Sequence, residues 1–122
     1  MPQHFRYLLG EYQCPFIGFV NVILLIMIYH ITTQVRWDEW TSQREFAPEA
    51  YEKEKFIHCC KADQIQGVLD RYFKGSTHLL LLCLEEQKLT APLRYEPGTN
   101  NELFPHLYGT INKDAIIEIR KI

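Results

Sequence analysis

Three observations predict an α+β fold with a small mixed or antiparallel sheet and two helices. The inferred order of elements is β-α-β-α-β-β-β, helices early and strands late, which argues against a doubly wound parallel sheet. The segment Leu79–Leu84, LLLLCL, is apolar without alternation, as in a central strand covered on both faces. Between these lies an amphipathic stripe, Ile65, Val68, Leu69, Tyr72 and Phe73, that must pack on a sheet.

The elements follow in order. Met27–Ile31 reads as a short buried strand, and Thr32-Thr33 offers a hydroxyl N-cap for a helix over about 34–43 carrying Val35, Trp37 and Trp40. Residues 46–55, with Pro48 and a cluster of charges, read as a solvated loop. Lys55–Cys59 is the second strand; alternation puts Phe56 and His58 on one face and Ile57 and Cys59 on the other. The striped helix ends near Gly75, a residue suited to the left-handed position past a helix C-terminus. Leu93–Glu96 is a short strand closed by Pro97-Gly98, residues 102–111 are partly extended, and Asp114–Ile122 is a last strand in which Ile117 and Ile119 share a face.

A chain of 122 residues with net charge −2 is one domain without the basic patch of a nucleic-acid binder, so no duplex partner is expected. Residues 1–26 differ from the rest: an apolar run from Cys14 to Tyr29 is broken by Pro15, Gly18 and Asn21. It is short for a transmembrane helix and lacks the basic start and small-residue cleavage site of a signal peptide. The expectation is an apolar leader over 1–26 outside the fold, a membrane contact only if that leader is an anchor, and a single domain over 27–122. Cys14, Cys59, Cys60 and Cys83 form no C-x-x-C pair, and reduced thiols in a cytoplasmic protein are expected.

No glycine-rich phosphate loop, H-E-x-x-H or G-x-S-x-G motif occurs. What stands out is histidine in apolar company: His30 in Ile-Tyr-His-Ile, His58 in Phe-Ile-His-Cys and His106 in Phe-Pro-His-Leu-Tyr. Each buried imidazole needs a hydrogen-bond partner, and three in separate segments point to one His-lined cleft. A zinc site of these histidines with Cys59 is disfavoured because His58 and Cys59 are adjacent on a strand and diverge, so no metal is expected.

IYHIT at 28–32, FIHC at 56–59, RYF-x-G at 71–75, L-x-YE at 93–96 and ELFPH-x-YG at 102–109 resemble the successive signatures of the domain-of-unknown-function 952 (DUF952) family. Cys60 departs from the serine that family places as N-cap of the second helix, which predicts a weaker cap. The family is similar in fold to the ADP-ribosyltransferase superfamily, and the resemblance implies NAD as substrate or a nucleotide ligand. It assigns His30 to a ribose hydroxyl and His58 to the wall beside the nicotinamide. Glu96, Glu102 and His106 compete for the position of the usual catalytic glutamate. A carboxylate there would stabilise the oxocarbenium-like charge that builds as the glycosidic bond breaks. Arg94 is expected either to fork onto a pyrophosphate or to be a solvated strand residue. Tyr95 and Tyr108 either stack on a base or complete the core. A transferase-like enzyme and a non-catalytic ligand-binding or interaction domain on the same scaffold are both consistent with this pattern.

Overall fold

The computed structural model describes residues 26–122. Apart from Ile26, whose carbonyl accepts a hydrogen bond from the Glu86 N–H at 2.9 Å, the expected leader lies outside the described residues. The architecture is α+β, with antiparallel sheets and few helices.

The main sheet has the order β1-β4-β8: β1 (Met27–Thr33), the central β4 (Leu79–Glu85) and β8 (Ile116–Lys121). Registration of Ile28 with Leu84 and of His30 with Leu82 sets one face; Tyr29 with Cys83 and Ile31 with Leu81 set the other. The first face packs under Phe46, Ile57, Leu107 and Ile111, and the second is covered by Ile65, Val68 and Leu69 of α3 (Ile65–Tyr72) and by Phe73, which caps its C-terminus. Burial on both faces explains why β4 shows no polar alternation.

A second antiparallel sheet has the order β3-β6-β5: β3 (Ile57–His58), β6 (Leu103–Leu107) and β5 (Leu93–Pro97). It joins the main sheet through one bridge, in which Tyr29 and Cys60 exchange both backbone hydrogen bonds at 2.8 Å. A ribbon of β2 (Glu45–Phe46) and β7 (Ile111–Asn112) carries Phe46 into the core beside Trp37 and Trp40.

Several local expectations need correction. Helix α1 (Gln34–Asp38) starts as anticipated, with Thr33 Oγ1 accepting from the Arg36 N–H at 3.1 Å, but gives way to turns well before residue 43. The expected loop at 46–55 holds the end of β2 and a single helical turn, α2 (Tyr51–Glu54). Lys55, at φ 68°, then turns the chain, so regular strand pairing is confined to Ile57–His58. Tyr72 leaves the apolar stripe and stands 64% exposed. Gly75 does adopt positive φ, though the helix itself closes at Phe73. Cys60 is not a cap: the turn before α3 starts at Lys61, whose N–H donates to the Gln64 side-chain oxygen at 2.9 Å, and Cys60 is used for the inter-sheet bridge. The last strand begins at Ile116 after a single turn, and a register shift opposite Cys83 and Leu84 packs Ile116 against the core. Ile117 and Ile119 are left 40% and 43% exposed. Among the described residues no helix is long and apolar enough to cross a membrane.

Candidate functional site

Where the two sheets are stitched together, a cleft of about 560 Å³ opens between the β3-β6 pair, β1 and the C-terminal end of α3. His30, His58 and His106 all line it.

His30 points inward because alternation on β1 places it with Ile28 and Thr32 on the core face. Its Nδ1 lies 2.7 Å from the His58 carbonyl oxygen. A carbonyl can only accept, so Nδ1 carries the proton and Nε2 is the lone-pair nitrogen. That Nε2 is buried and has no hydrogen-bond partner among the described residues. Burial outweighs the carbonyl's help and lowers the pKa of His30 to about 4, so the ring is neutral at physiological pH.

His58 and His106 are direct cross-strand partners, their ring centroids 5.1 Å apart and edge to face. Phe56 packs against both, at 4.7 Å from His58 and 4.5 Å from His106, as its shared face with His58 requires. His106 arrives on strand β6, within the segment expected to be partly extended. Its Nδ1 is 2.8 Å from Glu96 Oε1, and the Tyr108 hydroxyl donates to the same oxygen at 2.6 Å. The Tyr108 and His106 hydrogen bonds hold the Glu96 carboxyl below the usual carboxylate range, and Glu96 in turn raises the Tyr108 phenol.

Glu96 therefore stands behind His106, supporting that ring, and is not itself part of the cleft lining. Arg94 shares its face but lies over the Tyr108 ring at 4.9 Å, outside the lining. Tyr95 alternates to the opposite face of β5, where its hydroxyl donates to Glu86 at 2.8 Å. Burial, reinforced by Glu86, pushes its phenol up to about 12. Glu102 accepts from the Gln64 side chain at 3.1 Å and does not line the cleft either.

Other lining residues escaped the sequence reading. Glu54 is the carboxylate that does line the cleft, with its Oε1 2.9 Å from His58 Nε2. The left-handed turn at Lys55 creates this pairing, and no motif in the sequence marks it. Across the cleft, the Tyr72 hydroxyl and Thr99 Oγ1 lie 3.0 Å apart and link α3 to the turn after β5. Gly98 in that turn lies so near Phe104 that a Cβ would stand 2.8 Å from the ring. Cys59 and Cys60 also line the cleft; burial raises both thiols, that of Cys60 to about 12, so at neutral pH they supply packing and not a nucleophile. Among the described residues no group of three His, Cys, Asp or Glu side chains is placed to hold a metal ion.

The fold is similar to that of CC0527 from Caulobacter crescentus. Its crystal structure gives a TM-score of 0.72 at 27% identity, covering 78% of this chain and 84% of that one. Its solution NMR structure gives a TM-score of 0.68 at 27% identity, covering 79% and 84%. Among curated proteins no relative matches the chain. The five segments whose signatures stood out in the sequence fall on β1, β3, the end of α3, β5 and β6, the elements that build and back the cleft. Residues 31–119 match the model of the family described as protein of unknown function (DUF952), and the chain belongs to that family.

Proposed function

We propose that the cleft binds the nucleoside portion of NAD or a related nucleotide on an ADP-ribosyltransferase-like scaffold, with His30 accepting a ribose hydroxyl. The observation that carries this reading is the His30 imidazole at the wall of the cleft, fixed by the His58 carbonyl, whose buried Nε2 has no hydrogen-bond partner among the described residues. A buried acceptor without a partner costs about 1–3 kcal/mol, which a ligand hydroxyl would recover by displacing the side chains that close over Nε2. The rings of Phe56, His58 and His106 form an aromatic wall suited to a planar base or pyridinium.

Transfer chemistry would draw on Glu54, the carboxylate of the lining, to stabilise positive charge on the sugar as the glycosidic electron pair leaves with the base and water or an acceptor hydroxyl forms the new bond to the anomeric carbon. A second reading, binding without turnover, is favoured by one observation: Glu54 is engaged by His58, and Glu96 is turned away behind His106. Calorimetric titration of NAD into the full chain, with chromatographic assay of released nicotinamide, tests both. Saturable binding that His30→Ala abolishes is expected. Binding without nicotinamide release selects the non-catalytic reading, and absence of binding at millimolar NAD rejects the nucleotide reading altogether.

A further inference from the structure

The main sheet ends in an open edge away from the cleft. β8 pairs with β4 on one side, and among the described residues no strand pairs with it on the other. The Ile122 N–H donates to the Leu79 carbonyl at 3.0 Å and extends the β4 ladder by one position. In an antiparallel ladder each residue turns its N–H and its C=O to the same side, and successive residues alternate. Glu118 and Arg120, in steps of two from Ile122, therefore turn theirs to β4. Ile119 and Lys121 turn theirs out of the sheet.

An open edge of this kind is a template for a further strand. What sets β8 apart is the order of its side chains, Ile117-Glu118-Ile119-Arg120-Lys121. An antiparallel partner must set outward-turned residues against outward-turned residues. A second copy of β8 can do so about a two-fold axis at residue 118, 119 or 120. An axis at 118 opposes Glu118 to itself and an axis at 120 opposes Arg120 to itself, like charges in both cases. An axis at 119 opposes each Glu118 to the Arg120 of the other copy, twice over, and lets the two Ile119 residues exchange both backbone hydrogen bonds. Glu118 and Arg120 already pair along the strand at 2.9 and 3.1 Å, so this register joins two such pairs into a ring of alternating charge. On the other face the two Ile119 side chains, each 43% exposed, would cover one another beside the groove lined by Trp37 and Ile117.

We propose that β8 is a self-pairing edge: two copies of this chain associate antiparallel about Ile119 and join their three-stranded main sheets into one of six strands. The interface is isologous and closes at the dimer, because the far edge, β1, is tied to Cys60. The register shift opposite Cys83 and Leu84 confines the regular ladder to residues 118–122, which makes the association weak and reversible. It is independent of the nucleotide reading of the cleft.

Sedimentation equilibrium of the full chain tests it at about 0.5 mM, where even a weak interface is populated. A mass of twice the chain is expected, falling on dilution. Glu118→Arg and Arg120→Glu each oppose like charges in every one of the three registers, and each should weaken association about tenfold or more. An equimolar mixture of the two variants should restore it, because every arginine then faces a glutamate. Circular dichroism melts of both variants check that the fold is kept, as the loss of an exposed ion pair predicts. A monomer mass for the wild type at about 0.5 mM overturns the proposal. A dimer that either variant leaves intact, or a mixture that stays monomeric, overturns it as well. A monomer whose Ile119 and Lys121 amides resist hydrogen exchange would show that another segment of the chain holds the edge, and the proposal falls in that case too.

Discussion

The Nδ1 of His30 meets the main-chain carbonyl of His58 at 2.7 Å, so a side chain of the main sheet positions the backbone of the second sheet beside the cleft. Because the ring is 6% exposed, it is part of the fold as well as of the candidate site. A surface residue in a cleft could be removed with little effect on melting, but this one cannot. His30→Ala is expected to cost about 2–3 kcal/mol, the sum of a small cavity and an orphaned carbonyl. Urea denaturation of the two proteins measures it, and a change below about 0.5 kcal/mol, the range usual for surface substitutions, would show that the bond does not stabilise the fold.

The same burial gives stability an acid limit. His30 titrates near 6.5 when unfolded and at about 4 when folded, so between those values the unfolded chain binds more protons. Stability is therefore full above pH 6.5 and is lost as pH falls toward 4, by about 3 kcal/mol from this group. Glu96, whose folded carboxyl is also held low, adds to the loss in the same direction. Denaturation midpoints at pH 7.5 and pH 5 should differ clearly in wild type and much less in His30→Gln; equal slopes would locate the acid sensitivity elsewhere.

Phe46 is fully buried from a strand of two residues, with Trp37, Trp40 and His30 against its ring at 5.2, 6.1 and 6.1 Å. Phe46→Ala is expected to cost about 3–5 kcal/mol, a large part of a domain's usual margin. Both tryptophans of the chain touch this ring, so a red-shifted emission should accompany the loss. Unchanged fluorescence and unchanged stability would contradict the packing.

Two glycines should respond in opposite ways to alanine. At Gly98 the new methyl would lie 2.8 Å from the buried Phe104 ring, and both residues line the cleft. Gly98→Ala should cost about 1–3 kcal/mol and weaken ligand binding. At Gly67, inside α3, the methyl would meet only the flexible end of Arg71 at 3.1 Å. There, Gly67→Ala should stabilise by about 0.5–1 kcal/mol through helix propensity. Thermal melts of the pair decide, and a shared sign would refute the distinction.

What could be read in the chain without coordinates was whatever depends on periodicity. β4 announced its double burial by four consecutive leucines, and the α3 stripe named the residues that meet Ile31 and Leu81. The sharing of a face by Phe56 and His58 was likewise a matter of counting by two. What depends on turns and long-range pairing was hidden. Nothing local states that Lys55 turns left-handed and brings Glu54 to His58, nor that a register shift opposite Cys83 hands the core position to Ile116 instead of Ile117. Glu96 was one of three candidates for the catalytic glutamate, beside Glu102 and His106, and its place behind His106 follows from the β5-β6 register, which sequence periodicity does not encode.

The ladder pattern has a kinetic consequence. Met27 pairs with Glu85, Phe46 with Ile111, Ile57 with Leu107 and Leu84 with Ile116, so among the described residues the only strands that meet across a short connection are β5 and β6. Loop-closure entropy must be overcome before these distant pairs reward it, which places refolding on the order of milliseconds to seconds. The β5-β6 hairpin can form first, carrying His106 and Glu96 already side by side, while the carbonyl of His58 finds His30 only once both sheets have assembled. In stopped-flow experiments Glu96→Gln should then slow refolding more than His30→Ala for equal destabilisation, and His30→Ala should act chiefly by speeding unfolding.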